Sequence, residues 1–180
     1  MNVERALVTA LDQQDEEVAH SLFTRRPGQR DGVYTVVVSL AIPEGLEDSI
    51  RRDLKTIGGT LSWYGAAPGW ALRLVLGRFV GEKLRPQCPE ALIPGALVDW
   101  WRIVQIKETE LVLRSDGWLP GDAWLGYRIH EGYLQQVAAF RPRGVPGFIY
   151  WTLLGPFHRI VFNQMVRHRL RRASAASTSH

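Results

Sequence analysis

A single cysteine, Cys88, in 180 residues excludes an internal disulfide and any zinc site built on paired thiolates. That usage suits a reducing compartment, and a cytoplasmic location is expected. No stretch reaches the roughly 18 consecutive uncharged apolar residues of a spanning helix. The opening MNVERALVTALDQQDEEVAH carries acids throughout, where a secretory signal needs a basic start and an apolar core. Acidic residues are missing from 141–180, which hold seven arginines, while the rest of the chain has fifteen basic and eighteen acidic residues. The net charge of +4 is therefore a property of the C-terminal segment, not of the whole surface. Lysine is scarce too: nineteen of the twenty-two cations are arginine, the better residue for planar and stacked contacts.

Catalytic signatures are also lacking. There is no G-x-S-x-G, no Walker loop, no H-E-x-x-H, and no G-x-G-x-x-G opening a strand–helix unit. The five histidines show no ligand spacing; His158 and His168, ten apart on a helix, stand about 15 Å apart. No metal and no cofactor is expected. Cys88 lies between prolines with no basic activator beside it, a poor setting for a nucleophile.

What is present is a composition of 46% hydrophobic and 22% charged residues, enough for one globular core. Seven Trp, six Phe and five Tyr supply large rings for a core or a ligand wall. Apolar spacing predicts an amphipathic helix over 4–24, then a loop. VYTVVVSLAI (33–42) is β-branched and predicts a strand. PEGLEDSIRRDLKTIGG (43–59) has an early Pro, acids before bases and a terminal Gly pair, which predicts a helix. A loop with Trp63, Tyr64 and Pro68 precedes a shorter helix over 69–81. Four strands are expected at about 97–107, 110–117, 123–130 and 133–141, followed by a long final helix from about 144. This order is α+β: a curved antiparallel sheet wrapped around a long C-terminal helix. Residues 1–30 are expected to be a helical extension and loop, 31–172 a single domain, and 173–180 a flexible small-residue tail.

The segments IGGTLSWYG (57–65), DWWRIV (99–104), LPGDAWLGYRI (119–129), QVAAFRPRGVPGFIYW (136–151) and GPFHRIVFNQM (155–165) carry a resemblance. In this order they resemble a bacterial family of domains of unknown function that often follow NAD(P)-binding, epimerase-like short-chain dehydrogenase domains. That family looks like a member of the START-like, or SRPBCC, superfamily with the Bet v 1-like helix-grip fold. The resemblance implies a cavity that takes apolar or lipid-like small molecules, and a short-chain dehydrogenase-like protein as a partner. Some members of the wider superfamily are polyketide cyclases or dehydratases, which is the enzymatic alternative. The chain departs from the family pattern at Gly126, where an acidic or polar residue is usual, and at GEKLRPQCPEAL, which replaces an Arg- and Gly-rich turn.

Candidate ligand contacts come from the strands and the last helix. Alternation places Trp100, Arg102, Val104 and Ile106 on one face of their strand, and Asp99, Trp101, Ile103 and Gln105 on the other. Arg102 on a cavity face requires a partner, and Asp116 on the next strand is the candidate. Gln136, Ala138 and Phe140 share a face, combining an amide with room beside it. Trp124 and Tyr127 fall on opposite faces, so only one of them points inward. Tyr150 and His158 come from the final helix, His158 following Pro156, where a kink is expected. Arg102, Asp116 and His158 are the set a cyclase-like reaction would need.

In the final helix, Phe148, Ile149, Leu153, Phe157, Ile160, Val161 and Met165 recur at helical spacing, which suits a helix gripped by the sheet. Arg167, Arg169, Arg171 and Arg172 complement its dipole and offer a weak contact to an anionic membrane. The tail lacks interleaved stacking rings, so no nucleic-acid partner is expected.

Overall fold

The computed structural model describes residues 17–18, 20–30, 32–57, 89–116 and 119–178. The expected helix over 69–81, the loop with Trp63 and Tyr64, Cys88 and most of the expected 4–24 helix lie outside them. Among the described residues the strands are β1 (Gly28–Arg30), β2 (Val33–Ala41), β3 (Leu97–Val98), β4 (Trp101–Ile106), β5 (Glu110–Ser115), β6 (Gly121–His130) and β7 (Tyr133–Pro142). They form one antiparallel sheet in the order β1-β2-β7-β6-β5-β4-β3. Helix α1 (Glu47–Leu54) follows β2, and helix α2 (Gly144–Thr178) follows β7. The sheet wraps around α2, giving the expected α+β helix-grip architecture.

Strand alternation divides the sheet into two covered faces. Leu125, Tyr127 and Ile129 of β6 point inward with Leu134, Gln136, Ala138 and Phe140 of β7, opposite α1 and α2. Val112, Trp124, Val137 and Ala139 point outward and are covered by Val18, Leu22 and Phe23. Residues 18–23 thus cover part of the outer face. Gly126 belongs to this outer face. A Cβ there would lie 2.6 Å from Leu22 Cδ2 and 2.9 Å from the Phe23 ring, so the glycine makes room for the N-terminal cover.

Several elements differ from expectation for local reasons. The single strand over 97–107 is two strands, because Asp99 takes a left-handed φ of 57° and the chain folds back so that β3 pairs with β4. A bulge after Ile103 then re-phases β4, so that Ile103 and Ile106, three apart, both reach the inner core. Gly28–Arg30, expected as loop, adds a short edge strand to β2. Helix α1 has Glu47 and Asp48 in its first turn and Arg51 and Arg52 in its last, the charge order its dipole favours.

Helix α2 is continuous through Pro156 and runs on to Thr178, with Ala173 buried, so 173–178 is helix where a tail was expected. Its gripped face also differs. Val161 and Met165 face the core as expected, but Phe148, Ile149, Leu153, Phe157 and Ile160 are exposed, and the inward face is completed by Tyr150, Trp151, His158 and Phe162. Six of the seven residues over 148–154 are apolar or aromatic, so spacing alone does not choose which stripe faces in.

Candidate functional site

Between the sheet and α2 lie two unlike neighbourhoods. Beside the first half of the helix is a chain of rings. Phe140 stacks on Trp151 at 5.3 Å between centroids and 7° between planes, and Tyr34 flanks Trp151 at 5.5 Å. Trp151 meets His158 at 4.6 Å, and His158 stacks on Phe162 at 5.5 Å and 12°. Tyr150 closes on Phe140 at 5.5 Å. Burial among these rings lowers the His158 pKa from 6.5 to about 4, so its imidazole is neutral near pH 7. Its Nδ1 is buried and makes no hydrogen bond.

Beside the second half of α2 is a buried ionic cluster. Arg169, with its side chain 1% exposed, donates from Nη1 to Asp53 Oδ2 of α1 at 2.7 Å, and Arg172 approaches the other Asp53 oxygen at 3.4 Å. The Arg169 guanidinium stacks over the Tyr127 ring at 4.3 Å. Burial works against the Arg169 charge, yet Tyr127 and Asp53 together raise its pKa. Burial likewise raises the Tyr127 pKa, with Arg169 partly offsetting it, so the phenol stays protonated and available as a donor.

Gln136 lies beside the ionic cluster, next to Tyr127. It stands on the inner face of β7, directly across from Tyr127 on β6 and Val38 on β2. Its side chain is 1% exposed, and neither its amide nitrogen nor its oxygen has a hydrogen-bond partner. Around it the inner face is lined by small or branched residues, Val36, Val38 and Ala138.

Five of the nine residues picked out by sequence face α2 or sit on it, in two groups: Tyr127 and Gln136 as a cross-strand pair, and Phe140, Tyr150 and His158 in the ring chain. Trp100 is buried in the inner core near the β3–β4 turn, with its carbonyl accepting from the Asp116 amide at 2.8 Å. Trp124 faces outward under the Arg141 guanidinium. Arg102 does bond Asp116, at 2.7 Å, as the pairing argument required. The pair is nonetheless about half exposed on the outer face, opposite in direction to His158, with Arg102 also donating to the Gly95 carbonyl. Arg102, Asp116 and His158 do not converge. Plain alternation sets this: Trp101 and Ile103 take the inner positions, so Arg102 between them faces out.

Sequence reasoning missed Arg169, Asp53, Tyr34, Trp151 and Phe162. Arg169 had a signal: it falls on the Met165–Arg169–Ala173 line, a charged residue at core spacing. Asp53 sits likewise between Ile50 and Ile57.

A separate open groove of about 760 Å³ lies at the far end of the sheet, lined by Lys55, Ile57, Leu92, Ile106 and Glu108, and touches none of the nine candidates. Among the described residues no cluster of His, Cys, Asp and Glu is arranged to hold a metal ion.

The family model described as "Protein of unknown function (DUF2867)" matches residues 29–165. The chain belongs to this family. The DUF2867 span holds the sheet from the second residue of β1 onward, Gln136 and the ring chain, and it ends four residues before Arg169. No curated protein matches the chain. Among solved structures it is similar to DynU16, a protein in the dynemicin biosynthetic locus, at 13% identity and a TM-score of 0.38 over 74% of this chain. The chain spans about half, 46%, of that protein's length. It is also similar to the conserved protein of unknown function EF2215 from Enterococcus faecalis, at 10% identity and a TM-score of 0.38, covering 92% of this chain and 97% of that one.

Proposed function

We propose that the chain binds a mostly apolar, lipid-like small molecule between the inner face of the sheet and α2, with a polar group of that molecule on Gln136. The supporting observation is the Gln136 side chain. A buried amide with unmade hydrogen bonds costs roughly 1–3 kcal/mol per group, and a packed protein keeps such a residue where something else completes it. The Gln136 amide offers two donors and an acceptor on the inner face of the sheet, across from Tyr127. The rings of Phe140, Tyr150 and Trp151 offer an apolar wall toward the start of α2. This division, with few polar groups set in an aromatic surround, is what orients an amphiphilic ligand.

Native mass spectrometry of the protein as purified, with organic extraction of what it carries, tests this reading. The expected result is a retained small molecule whose occupancy drops about tenfold in Gln136→Leu, the loss of roughly one hydrogen-bonded contact. A purely structural Gln136 gives the opposite pattern: Gln136→Leu is as stable as the parent or more so, and occupancy is unchanged. Protein that emerges empty and gains no thermal stability from a panel of fatty acids, sterols and aromatic polyketides would sink the proposal.

A further inference from the structure

Six of the eight large hydrophobic side chains exposed among the described residues lie on the first half of α2: Val145, Phe148, Ile149, Leu153, Phe157 and Ile160. Leu153 is 67% exposed and Phe157 61%. An exposed apolar stretch of this kind marks an interaction surface. The patch continues into charge. Ile149, Leu153, Phe157 and Ile160 are followed on the same line of the helix by Gln164, Arg167 and Arg171, all exposed, at steps of three and four residues. No Asp or Glu occurs anywhere in α2. One face thus presents apolar side chains along one half and guanidinium groups along the other.

We propose that this face of α2 lies on an anionic lipid bilayer surface, with Leu153, Phe157 and Ile160 in the acyl boundary and Arg167 and Arg171 on headgroup phosphates. The charge decides between this occupant and a second copy of the chain. Two such faces packed together offer no α2 carboxylate to Arg159, Arg167 or Arg171 of either copy, so a second copy sets like charges against each other uncompensated. A surface of phosphates complements both halves at once. No helix of the structure, among the described residues, is long and apolar enough to cross a membrane. The proposal stands apart from the ligand reading, because Gln136 lies on the opposite side of the helix and flotation does not depend on its occupancy.

Flotation of the full chain with phosphatidylcholine vesicles, and with vesicles of phosphatidylcholine and phosphatidylglycerol, is the test. The wild type is expected to partition at least about tenfold more onto the anionic vesicles. Leu153→Ser with Phe157→Ser should lower that partitioning at least about tenfold while the thermal transition stays near that of the wild type, since both side chains already face water. Ile149→Ser with Ile160→Ser is a second variant of the same kind should the first fold poorly. Arg167→Gln with Arg171→Gln should remove the preference for anionic lipid. Three results would each overturn the proposal: no flotation with anionic vesicles at low salt, flotation unchanged by the serine variants, or a wild-type dimer that the serine substitutions convert to monomer without any vesicle binding.

Discussion

His158 couples the ring chain to pH. Its pKa is about 4 in the folded protein against an ordinary 6.5, so the unfolded chain takes up the proton first as pH falls. The neutral imidazole's contribution is complete above pH 6.5, declines between 6.5 and 4, and is gone below that; two and a half pH units correspond to roughly 3 kcal/mol. His158→Phe preserves the stacking on Phe162 and Trp151 and removes the proton. Urea denaturation at pH 7.5 and pH 4.5 should show a loss in the wild type that is smaller by roughly 2 kcal/mol in the variant; an equal loss in both places the acid sensitivity elsewhere. Asp53 and Arg169 make a different argument. Removing one partner leaves a charge buried without compensation, so Asp53→Asn should cost roughly 3–5 kcal/mol. Asp53→Leu with Arg169→Met removes both charges and should cost clearly less than either single change, as a double-mutant cycle in urea would show. The sequence placed Arg169 among the dipole-complementing arginines. Three of those four do reach solvent at least in part, and helical periodicity could separate Arg169 from them, because it shares a face with Met165 and Ala173.

At the scale of elements, the strands were legible and their phase was not always. β2, β6 and β7 follow their alternation from end to end, so the inward positions of Gln136 and Phe140, and the opposite directions of Trp124 and Tyr127, could be read directly. β4 could not be read this way. The left-handed residue before it and the bulge within it each shift which side chains face in, and neither carries a glycine or proline to announce it. In α2 the difficulty was an excess of signal. Apolar residues surround its first half, and the sheet selects the aromatic stripe because Phe140 and Tyr34 supply rings to stack on. Gly126 shows the reverse case, a missing side chain that only the fold explains. A larger residue there must displace Leu22 and Phe23, so Gly126→Val should destabilise by roughly 1–3 kcal/mol. Leu22→Ala in the same chain should recover part of that loss, although Leu22→Ala alone is itself destabilising. A cost for Gly126→Val that is unaffected by Leu22→Ala would argue that strand geometry, not the N-terminal cover, demands the glycine.

For the whole molecule, the sheet is a wall covered on both sides, and each cover comes from one end of the described chain. Val18, Leu22 and Phe23 close the outer face, and α2 closes the inner one. The two halves of α2 hold it differently: the first by stacked rings, the second by Met165, Val166, Ala173 and the Arg169–Asp53 pair. The DUF2867 match ends at Met165, between those two anchors. Truncation separates what the anchors do. A chain ending at Arg172 keeps the ion pair and loses Ala173, a small buried side chain, so it should melt cooperatively at a temperature only slightly lower. A chain ending at Met165 keeps every ring contact but strips Val166 from the core and leaves the Asp53 carboxylate buried without Arg169 or Arg172. By the buried-charge argument that loss alone is roughly 3–5 kcal/mol, a large part of the total stability of a domain this size. Circular dichroism melting should show the cooperative transition weakened or lost in the shorter chain only. An intact transition in the chain ending at Met165 would mean that the ring chain grips the helix unaided and that the buried pair serves something other than holding it.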